Sequence, residues 1–220
     1  MEGGLTGAVP EEDLKFRAPF TCIVSGASGT GKSTLVFKII ENCKALISPP
    51  PVDVMLAYGQ YHSGIPKLEK AGVHVYPGLP TDDMLASFPR GLLLVIDDFL
   101  GKIEESYVSA IFTRKAHHMG FSCILLTQSA FDKNLRVARN NAAYLILTRS
   151  PSSQLAIRTL GTQLFPGDSK YFQDAYRQAT QEKFGYLLVD NHPQGNSLLR
   201  LRTHILPDET PQVFISNNAV

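Results

Sequence analysis

Residues 26–33 read Gly26-Ala27-Ser28-Gly29-Thr30-Gly31-Lys32-Ser33, a complete G-x-x-x-x-G-K-S segment. In such a segment the glycines allow successive backbone N–H groups to turn inward around the β- and γ-phosphates of a nucleotide. The lysine adds a positive charge there, and the serine hydroxyl is a hard oxygen ligand suited to Mg²⁺. We therefore predict that residues 26–34, with Thr34 as the last, bind the phosphates and that Ser33 is a metal ligand.

The residues on either side of this loop have the pattern that the motif requires. Residues 20–25 form a short apolar run typical of a strand, and residues 34–40 have the pattern of an amphipathic helix. The loop thus joins a strand to a helix N-terminus, where the helix dipole favours anions. This context argues against a chance glycine-rich turn.

Length, charge and cysteine content restrict the class of protein only broadly. The 220 residues fit one domain, and the formal net charge of +1 neither demands nor excludes a polyanionic partner. Cys22, Cys43 and Cys123 lie in apolar segments without metal-ligand spacing, as expected of buried thiols in a reducing compartment. Residues 1–10 do not resemble a signal peptide, and no apolar run is long enough to span a membrane. We expect an intracellular protein without a membrane partner.

Strand-like and helix-like segments alternate along the chain, which predicts an α/β fold with a mainly parallel, twisted sheet flanked by helices. The fourfold spacing of Ile103, Tyr107, Ile111 and Lys115 predicts one amphipathic helix. Residues 186–189 and 198–204 are expected to form a closing pair of strands at the C-terminus, turned near residues 195–196.

Two acidic residues, Asp97 and Asp98, directly follow the continuous apolar run at 92–96. Such a run is typical of a central parallel strand, and sheets of this class bind ligands at the carboxyl ends of their strands. Asp97 is predicted to hold the Mg²⁺ shell, and Asp98 to orient or deprotonate the attacking water. The alternative is a pair of solvated turn carboxylates, which is disfavoured by the phosphate loop upstream.

The spacing between the two motifs carries further information. One or two strands, at 52–58 and 73–76, are expected between the phosphate loop and Asp97. This insertion predicts the ASCE division of P-loop ATPases, which places an extra strand between the motif strands and includes RecA-like motors. The next strand ends at Thr127-Gln128, so Gln128 is a predicted sensor of the γ-phosphate or its water. An ordinary strand-end turn is the alternative for this residue.

Three blocks of sequence, residues 25–34, 92–99 and 115–128, together resemble the FtsK/HerA superfamily of DNA-pumping ATPases. Within it the chain is most similar to the compact packaging ATPases of double-stranded DNA viruses and virus-like transposons, the poxvirus and Polinton/Maverick type. The similarity continues at three further segments and extends over residues 20–206. Those segments are residues 57–61, 145–151 and 184–190.

The resemblance implies a RecA-like subunit of a pentameric or hexameric homo-oligomeric ring that uses ATP and Mg²⁺ to drive double-stranded DNA into a capsid. Lys32, Ser33, Asp97, Asp98 and Gln128 carry over as the phosphate, metal, catalytic and sensor residues. Many superfamily members have Glu at the position of Asp98. The shorter side chain here requires either a tighter closed site or another carboxylate in that role.

The pattern along the chain predicts the domain organisation, and the resemblance implies the partners. We predict a flexible N-terminal arm at 1–18, a RecA-like ATPase domain at 19–206 and a C-terminal tail at 207–220. A capsid or portal protein is the expected further partner. A viral protein of this kind would act in the host nucleus or at the site of virus assembly.

A ring ATPase usually completes its site with an arginine from the neighbouring subunit, which stabilises charge in the transition state. The resemblance places Arg149 in this role. Arg139 and Arg114 are alternatives, and each of the three can also be an ordinary surface arginine.

DNA is expected to be contacted through its phosphates, without regard to base sequence, as translocation requires. Lys133, Arg136 and Lys102 are candidates for these contacts, and ordinary solvated charge is the alternative for each. Tyr58 and Tyr61 follow a predicted strand and can stack on a base or on adenine, although such aromatics are more often core residues.

Three other functions stay open at this point. A hexameric DNA helicase shares nearly all of these motifs. A P-loop switch or assembly factor would bind ATP, organise other proteins and hydrolyse slowly without moving DNA. A small-molecule P-loop kinase would need a lid rich in basic residues, and the extra strand and the Thr127-Gln128 block also argue against it.

Overall fold

The structure is a computed structural model that describes residues 9–97, 99 and 103–216. Its strands are β1 (Phe16–Arg17), β2 (Thr21–Ser25), β3 (Ile47–Ser48), β4 (Asp53–Tyr58), β5 (His74–Pro77), β6 (Leu92–Asp97), β7 (Ser122–Thr127), β8 (Tyr144–Thr148), β9 (Tyr186–Asp190), β10 (Leu201–Thr203) and β11 (Gln212–Phe214). Nine of them form one sheet in the order β11-β10-β9-β8-β2-β7-β6-β4-β5. The pairs from β8 to β5 are parallel, and those from β8 to β11 are antiparallel. The prediction of a mainly parallel α/β sheet is confirmed.

Helices cover both faces of the sheet. They are α1 (Lys32–Glu41), α2 (Cys43–Leu46), α3 (Ile65–Lys70), α4 (Asp82–Ala86), α5 (Glu105–Ala110), α6 (Ala116–Met119), α7 (Arg136–Asn141), α8 (Gln154–Leu164) and α9 (Ser169–Ala179). The longest of these, α8 and α9, have 11 residues each. Among the residues that the structure describes, no helix combines the length and the apolar character needed to cross a bilayer.

The central strands are buried on both faces, which explains their continuous apolar sequence. Ile23 of β2 belongs to an apolar cluster with Val108 of α5 and Phe172 of α9. Its neighbour Val24 belongs to a second cluster, on the opposite face, with Val36 of α1. Because successive side chains of a strand point to opposite faces, β2 joins the two halves of the core.

The order of the strands places the functional segments side by side at the carboxyl ends of the central strands. β2, which leads into the phosphate loop, and β6, which ends at Asp97, are separated by β7, and β7 is parallel to both. The carboxyl ends of the three strands therefore lie side by side. β7 is the extra strand of the ASCE division, and the P-loop fold is confirmed. The strands predicted at 52–58 and 73–76 are β4 and β5, which lie beyond β6 and not between the two motif strands.

The helix predicted over residues 103–115 forms, and it runs without a break from Glu105 to Met119, but it is not α-helical throughout. α5 begins at Glu105, and a π-helical turn occupies Ile111–Lys115, between α5 and α6. A π turn is wider than an α turn, and here it buries two adjacent residues, Ile111 and Phe112, in one cluster. The spacing of apolar residues in the sequence cannot predict the π turn, because the α-helical pattern assumes a constant repeat of 3.6 residues.

The closing strands also differ in detail from the prediction. β9 and β10 pair antiparallel as expected. However, β10 begins at Leu201, because the Asn196 side chain accepts a hydrogen bond from the Leu198 N–H and starts a short 3₁₀ turn at Ser197–Leu199. The connection is therefore a structured loop instead of a tight hairpin.

Two strands, β1 and β11, lie outside the ATPase domain predicted at 19–206 and pair with strands inside it. β1 pairs with β3, and the Phe16 ring lies 5.2 Å from the Phe20 ring and 4.9 Å from that of Tyr144. At the other end, β11 adds an edge strand beside β10.

Candidate functional site

The phosphate loop connects the end of β2 to the start of α1. Gly31 immediately precedes α1 and has a φ of 87°, in the left-handed region that favours glycine. Gly26 lies so close to the side chain of Thr148 that a Cβ atom there would collide with the Thr148 Oγ1 atom. The left-handed φ of Gly31 and the close approach of Thr148 to Gly26 thus explain why the motif requires glycine at these two positions.

The helix that follows the loop favours an anion. α1 begins directly after the loop, and Gly31 has no side chain with which to cap the N-terminus of the helix, where anions are favoured. The Nζ atom of Lys32 donates hydrogen bonds to the carbonyl oxygens of Gly26 at 2.7 Å and Ala27 at 2.9 Å. These bonds hold the ammonium group within the curve of the loop, where a bound triphosphate would meet it.

Hydroxyl groups support the loop from the neighbouring strand β8. Thr30 Oγ1 donates to the carbonyl oxygen of Ala27 at 2.8 Å and lies 2.7 Å from Thr148 Oγ1. Thr148 Oγ1 also lies 3.3 Å from the carbonyl oxygen of Ser25, and the residue is only 2 % exposed. Sequence reasoning missed this supporting role. The available signal was a hydroxyl residue at the carboxyl end of a strand next to β2.

A cavity of about 540 Å³ opens on one side of the loop, and we call it the reaction cavity. It brings together six of the predicted site residues, namely Ser28, Gly29, Lys32, Ser33, Asp97 and Gln128. Asp97 is the buried last residue of β6, whereas Gln128 is exposed just after β7. The Ser33 hydroxyl and the Asp97 carboxylate are hard oxygen donors in one cavity, which fits Mg²⁺. Asp98 lies outside the described residues.

Arg149 follows β8 directly, but its side chain is not in the reaction cavity. It is exposed and lines a separate pocket of about 310 Å³ with Gln173 of α9 and other residues of α8 and α9. The main chain on either side is held by Tyr176, whose hydroxyl donates to the Thr148 carbonyl oxygen at 3.1 Å and accepts from the Ser150 N–H at 3.0 Å. Burial raises the pKa of Tyr176, so the hydroxyl remains protonated at neutral pH.

The alternative arginines differ from Arg149. Arg139 donates to the carbonyl oxygen of Ala130 at 2.8 Å and lies over the Phe131 ring at 4.7 Å, so its guanidinium is engaged within the same chain. Arg114 is exposed in the π turn.

The remaining candidates are spread over the surface. Lys133 is exposed in the 3₁₀ turn that precedes α7, Arg136 is exposed at the first residue of α7, and Lys102 lies outside the described residues. Tyr58 packs against the apolar cluster around α1, whereas Tyr61 is 69 % exposed at the rim of the reaction cavity.

The cysteines are part of the core, as predicted. Cys22, Cys43 and Cys123 are buried free thiols, and burial raises the pKa of each. Over residues 9–97, 99 and 103–216, no three His, Cys, Asp or Glu side chains cluster in a way that could hold a metal ion.

Comparisons with known proteins agree at the level of the fold. No protein-family model and no curated protein matches the chain. The genome packaging NTPase B204 from Sulfolobus turreted icosahedral virus 2, in complex with sulfate, is 12 % identical with a TM-score of 0.51, covering 89 % of this chain and 95 % of that one. Its complex with ATP-γ-S is 14 % identical with a TM-score of 0.52, covering 89 % and 97 %.

A further solved structure gives the same result. B204, described as the DNA-packaging ATPase from Sulfolobus Turreted Icosahedral Virus, is 14 % identical with a TM-score of 0.52, covering 90 % of this chain and 97 % of that one. At these identities the likeness shows that the chain has the fold of a P-loop NTPase.

Proposed function

We propose that this chain is the ATP-hydrolysing subunit of a motor that translocates double-stranded DNA, of the kind that packages viral genomes. The observation that carries the proposal is the reaction cavity, in which Lys32, Ser33, Asp97 and Gln128 lie beside the phosphate loop. The fold shared with a viral genome packaging NTPase supports the more specific role.

Each residue of the reaction cavity has a defined task in this proposal. Lys32 and the first N–H groups of α1 bind the β- and γ-phosphates. Ser33 and Asp97 hold Mg²⁺, which when bound neutralises charge on the phosphate oxygens. Gln128 is placed to orient the attacking water or to register its consumption. Asp98 remains the predicted acceptor of the proton from that water.

The proposal includes a homo-oligomeric ring, pentameric or hexameric, in which Arg149 completes the site of the next subunit. Two features support this assignment. The side chain is exposed outside its own reaction cavity, and Tyr176 holds the main chain on both sides of it. An arginine that acts across an interface needs both access and a fixed origin, because it must meet the transition state without further ordering.

The partners follow from the FtsK/HerA resemblance of the nucleotide motifs. DNA would be bound through its phosphates, with the exposed Lys133 and Arg136 as candidates, and a capsid or portal protein would anchor the ring. If the protein is viral, it would act in the host nucleus or at the site of virus assembly.

The test is ATP hydrolysis with and without duplex DNA, measured together with the mass of the oligomer. We expect Mg²⁺-dependent hydrolysis that duplex DNA stimulates, from a species of five or six subunits. Hydrolysis that DNA does not affect would favour a switch or assembly factor, and strand separation would favour a helicase. Absence of hydrolysis under all conditions would overturn the proposal.

A further inference from the structure

A second cavity, also of about 540 Å³, opens on the other side of the phosphate loop. Gly31, Thr34 and Lys38 form one wall of it, on the loop and the first turns of α1. The opposite wall comes from the segment between α9 and β9, which includes Phe184, and from the residues after β10. The two cavities have no lining residue in common, so the loop and the start of α1 separate them.

Phe184 is the unusual residue of this second cavity. Its side chain is 57 % exposed, although phenylalanine is normally buried. Its φ of 66° lies in the left-handed region, which bulky residues rarely adopt. A Cβ atom at Gly31 would lie 2.9 Å from the phenyl ring, so the ring rests directly against the phosphate loop. Neither burial nor backbone preference accounts for a phenylalanine at this position.

The wall beside Phe184 is held by two hydrogen bonds. The next strand residue, Tyr186, donates from its hydroxyl to the carboxylate of Glu209 at 2.9 Å and accepts from the Ile205 N–H at 2.8 Å. These bonds tie the start of β9 to the segment that follows β10. The aromatic ring is therefore presented from a fixed support, which lowers the entropy cost of binding a ligand to it.

The two cavities divide the length of a nucleoside triphosphate between them. If the γ-phosphate faces Gln128 in the reaction cavity, the nucleoside at the other end leaves the loop past Thr34. We propose that the nucleobase occupies the second cavity and stacks on the exposed ring of Phe184. This inference rests on the proposed function, because it places the base of the same nucleotide.

Stacking sets the class of ligand that the site accepts. It uses the π-face, which every nucleobase has, so Phe184 contributes affinity without reading the edge of the base. The Lys183 Nζ atom lies over the Phe184 ring, 5.0 Å from its centre, so a cation stands beside the proposed platform. The site is therefore expected to serve ATP and GTP alike.

The chain contains no tryptophan, so Phe184→Trp introduces a single fluorophore at the proposed platform. We expect ATP and GTP to change its emission, whereas tripolyphosphate, which has no base, competes with ATP but leaves the emission nearly unchanged. An equal response to ATP and tripolyphosphate would overturn the inference. So would the absence of any response in a variant that still binds ATP.

Phe184→Ala tests the energetic contribution. We expect the Kd for ATP and for GTP to rise by roughly 10- to 100-fold, the order of effect seen when a base-stacking aromatic is removed, with tripolyphosphate binding unchanged. Tyr61→Ala removes the exposed aromatic on the opposite side and tests the competing placement of the base. A loss of ATP affinity in Tyr61→Ala but not in Phe184→Ala would contradict the inference.

Phe184→Asn separates binding from folding, because asparagine tolerates a left-handed φ better than phenylalanine. We expect its Tm to be unchanged or higher, while its ATP affinity falls as in Phe184→Ala. If affinity and Tm fell together in all Phe184 variants, Phe184 would be structural and the inference would be wrong. If the wild-type protein did not bind ATP, the proposed function would fail first. If the wild-type protein bound ATP and Phe184→Ala bound it with the same affinity, only the placement of the base would be refuted.

Discussion

On one side of the phosphate loop, the reaction cavity collects Lys32, Ser33, Asp97 and Gln128 from the ends of parallel strands. On the other side, the second cavity presents Phe184 from the antiparallel part of the sheet. Phosphate chemistry needs specific charges and oxygen ligands, so the residues of the reaction cavity form a motif that can be recognised in the sequence. A base needs only a flat apolar surface, so the other side leaves no motif.

The two sides should also differ in which kinetic quantity they control. Contacts that strengthen in the transition state raise kcat, whereas contacts made equally in the ground and transition states change only affinity. Variants of the reaction side are thus expected to lower kcat, and variants of the base side to raise KM and Kd. The predictions below test this division, beginning with the largest effect.

Lys32→Ala should abolish ATP hydrolysis, with a fall in kcat/KM of roughly 1000-fold or more, because a charge fixed against the transferred phosphates is lost. Steady-state phosphate release measures this. Lys44→Ala, at an exposed position on α2, is the matched control and should be unaffected. Normal turnover by Lys32→Ala would refute the whole assignment of the reaction side.

Arg149→Ala should lower kcat by about 1000-fold, the lower end of the range for an arginine that acts in trans. Arg177→Ala is the matched control, because Arg177 lines the same pocket but pairs with Asp174 at 3.2 Å. If Arg149 acts across an interface, mixing Arg149→Ala with Lys32→Ala subunits should partly restore hydrolysis. No recovery in the mixture would count against Arg149 as the trans residue.

Thr148→Val should weaken ATP binding by about tenfold, since a buried hydroxyl bond of roughly 1–1.5 kcal/mol supports the loop. The measurement is ATP affinity by calorimetry, together with urea unfolding. Thr148→Ser keeps the hydroxyl, so its ATP affinity and its urea unfolding should match those of the wild type. If Thr148→Val bound ATP normally, the support from β8 would be irrelevant to the nucleotide.

The smallest effect is expected in the core that both sides share. Burial raises the pKa of Cys22 and of Cys123, so neither thiol should react with a thiol reagent in the folded protein, and both should react in denaturant. Titration with and without ATP should give the same result. Exposure of either thiol by ATP would show that nucleotide binding on the loop rearranges the sheet.

The comparison also explains what the sequence could predict. The mainly parallel sheet and the main residues of the reaction cavity followed from local signals, namely the alternation of strands and helices, a glycine-rich loop and the polar residues Asp97 and Gln128 at strand ends. The order of the strands did not. Thr148 also stands at a strand end, but that signal alone did not identify its partner, because it meets Thr30 across 118 residues of chain. The role inferred for Phe184 likewise depends on how β9 and the loop come together in space. The π turn was not predicted, because a pattern of apolar residues is interpreted with a constant helical repeat.

The most direct test of the account is an experimental structure of the protein with Mg²⁺ and a non-hydrolysable ATP analogue. The account predicts the γ-phosphate between Lys32 and Gln128, the metal at Ser33 and Asp97, and the adenine stacked on Phe184. An adenine ring against Tyr61, or phosphates outside the loop, would contradict it.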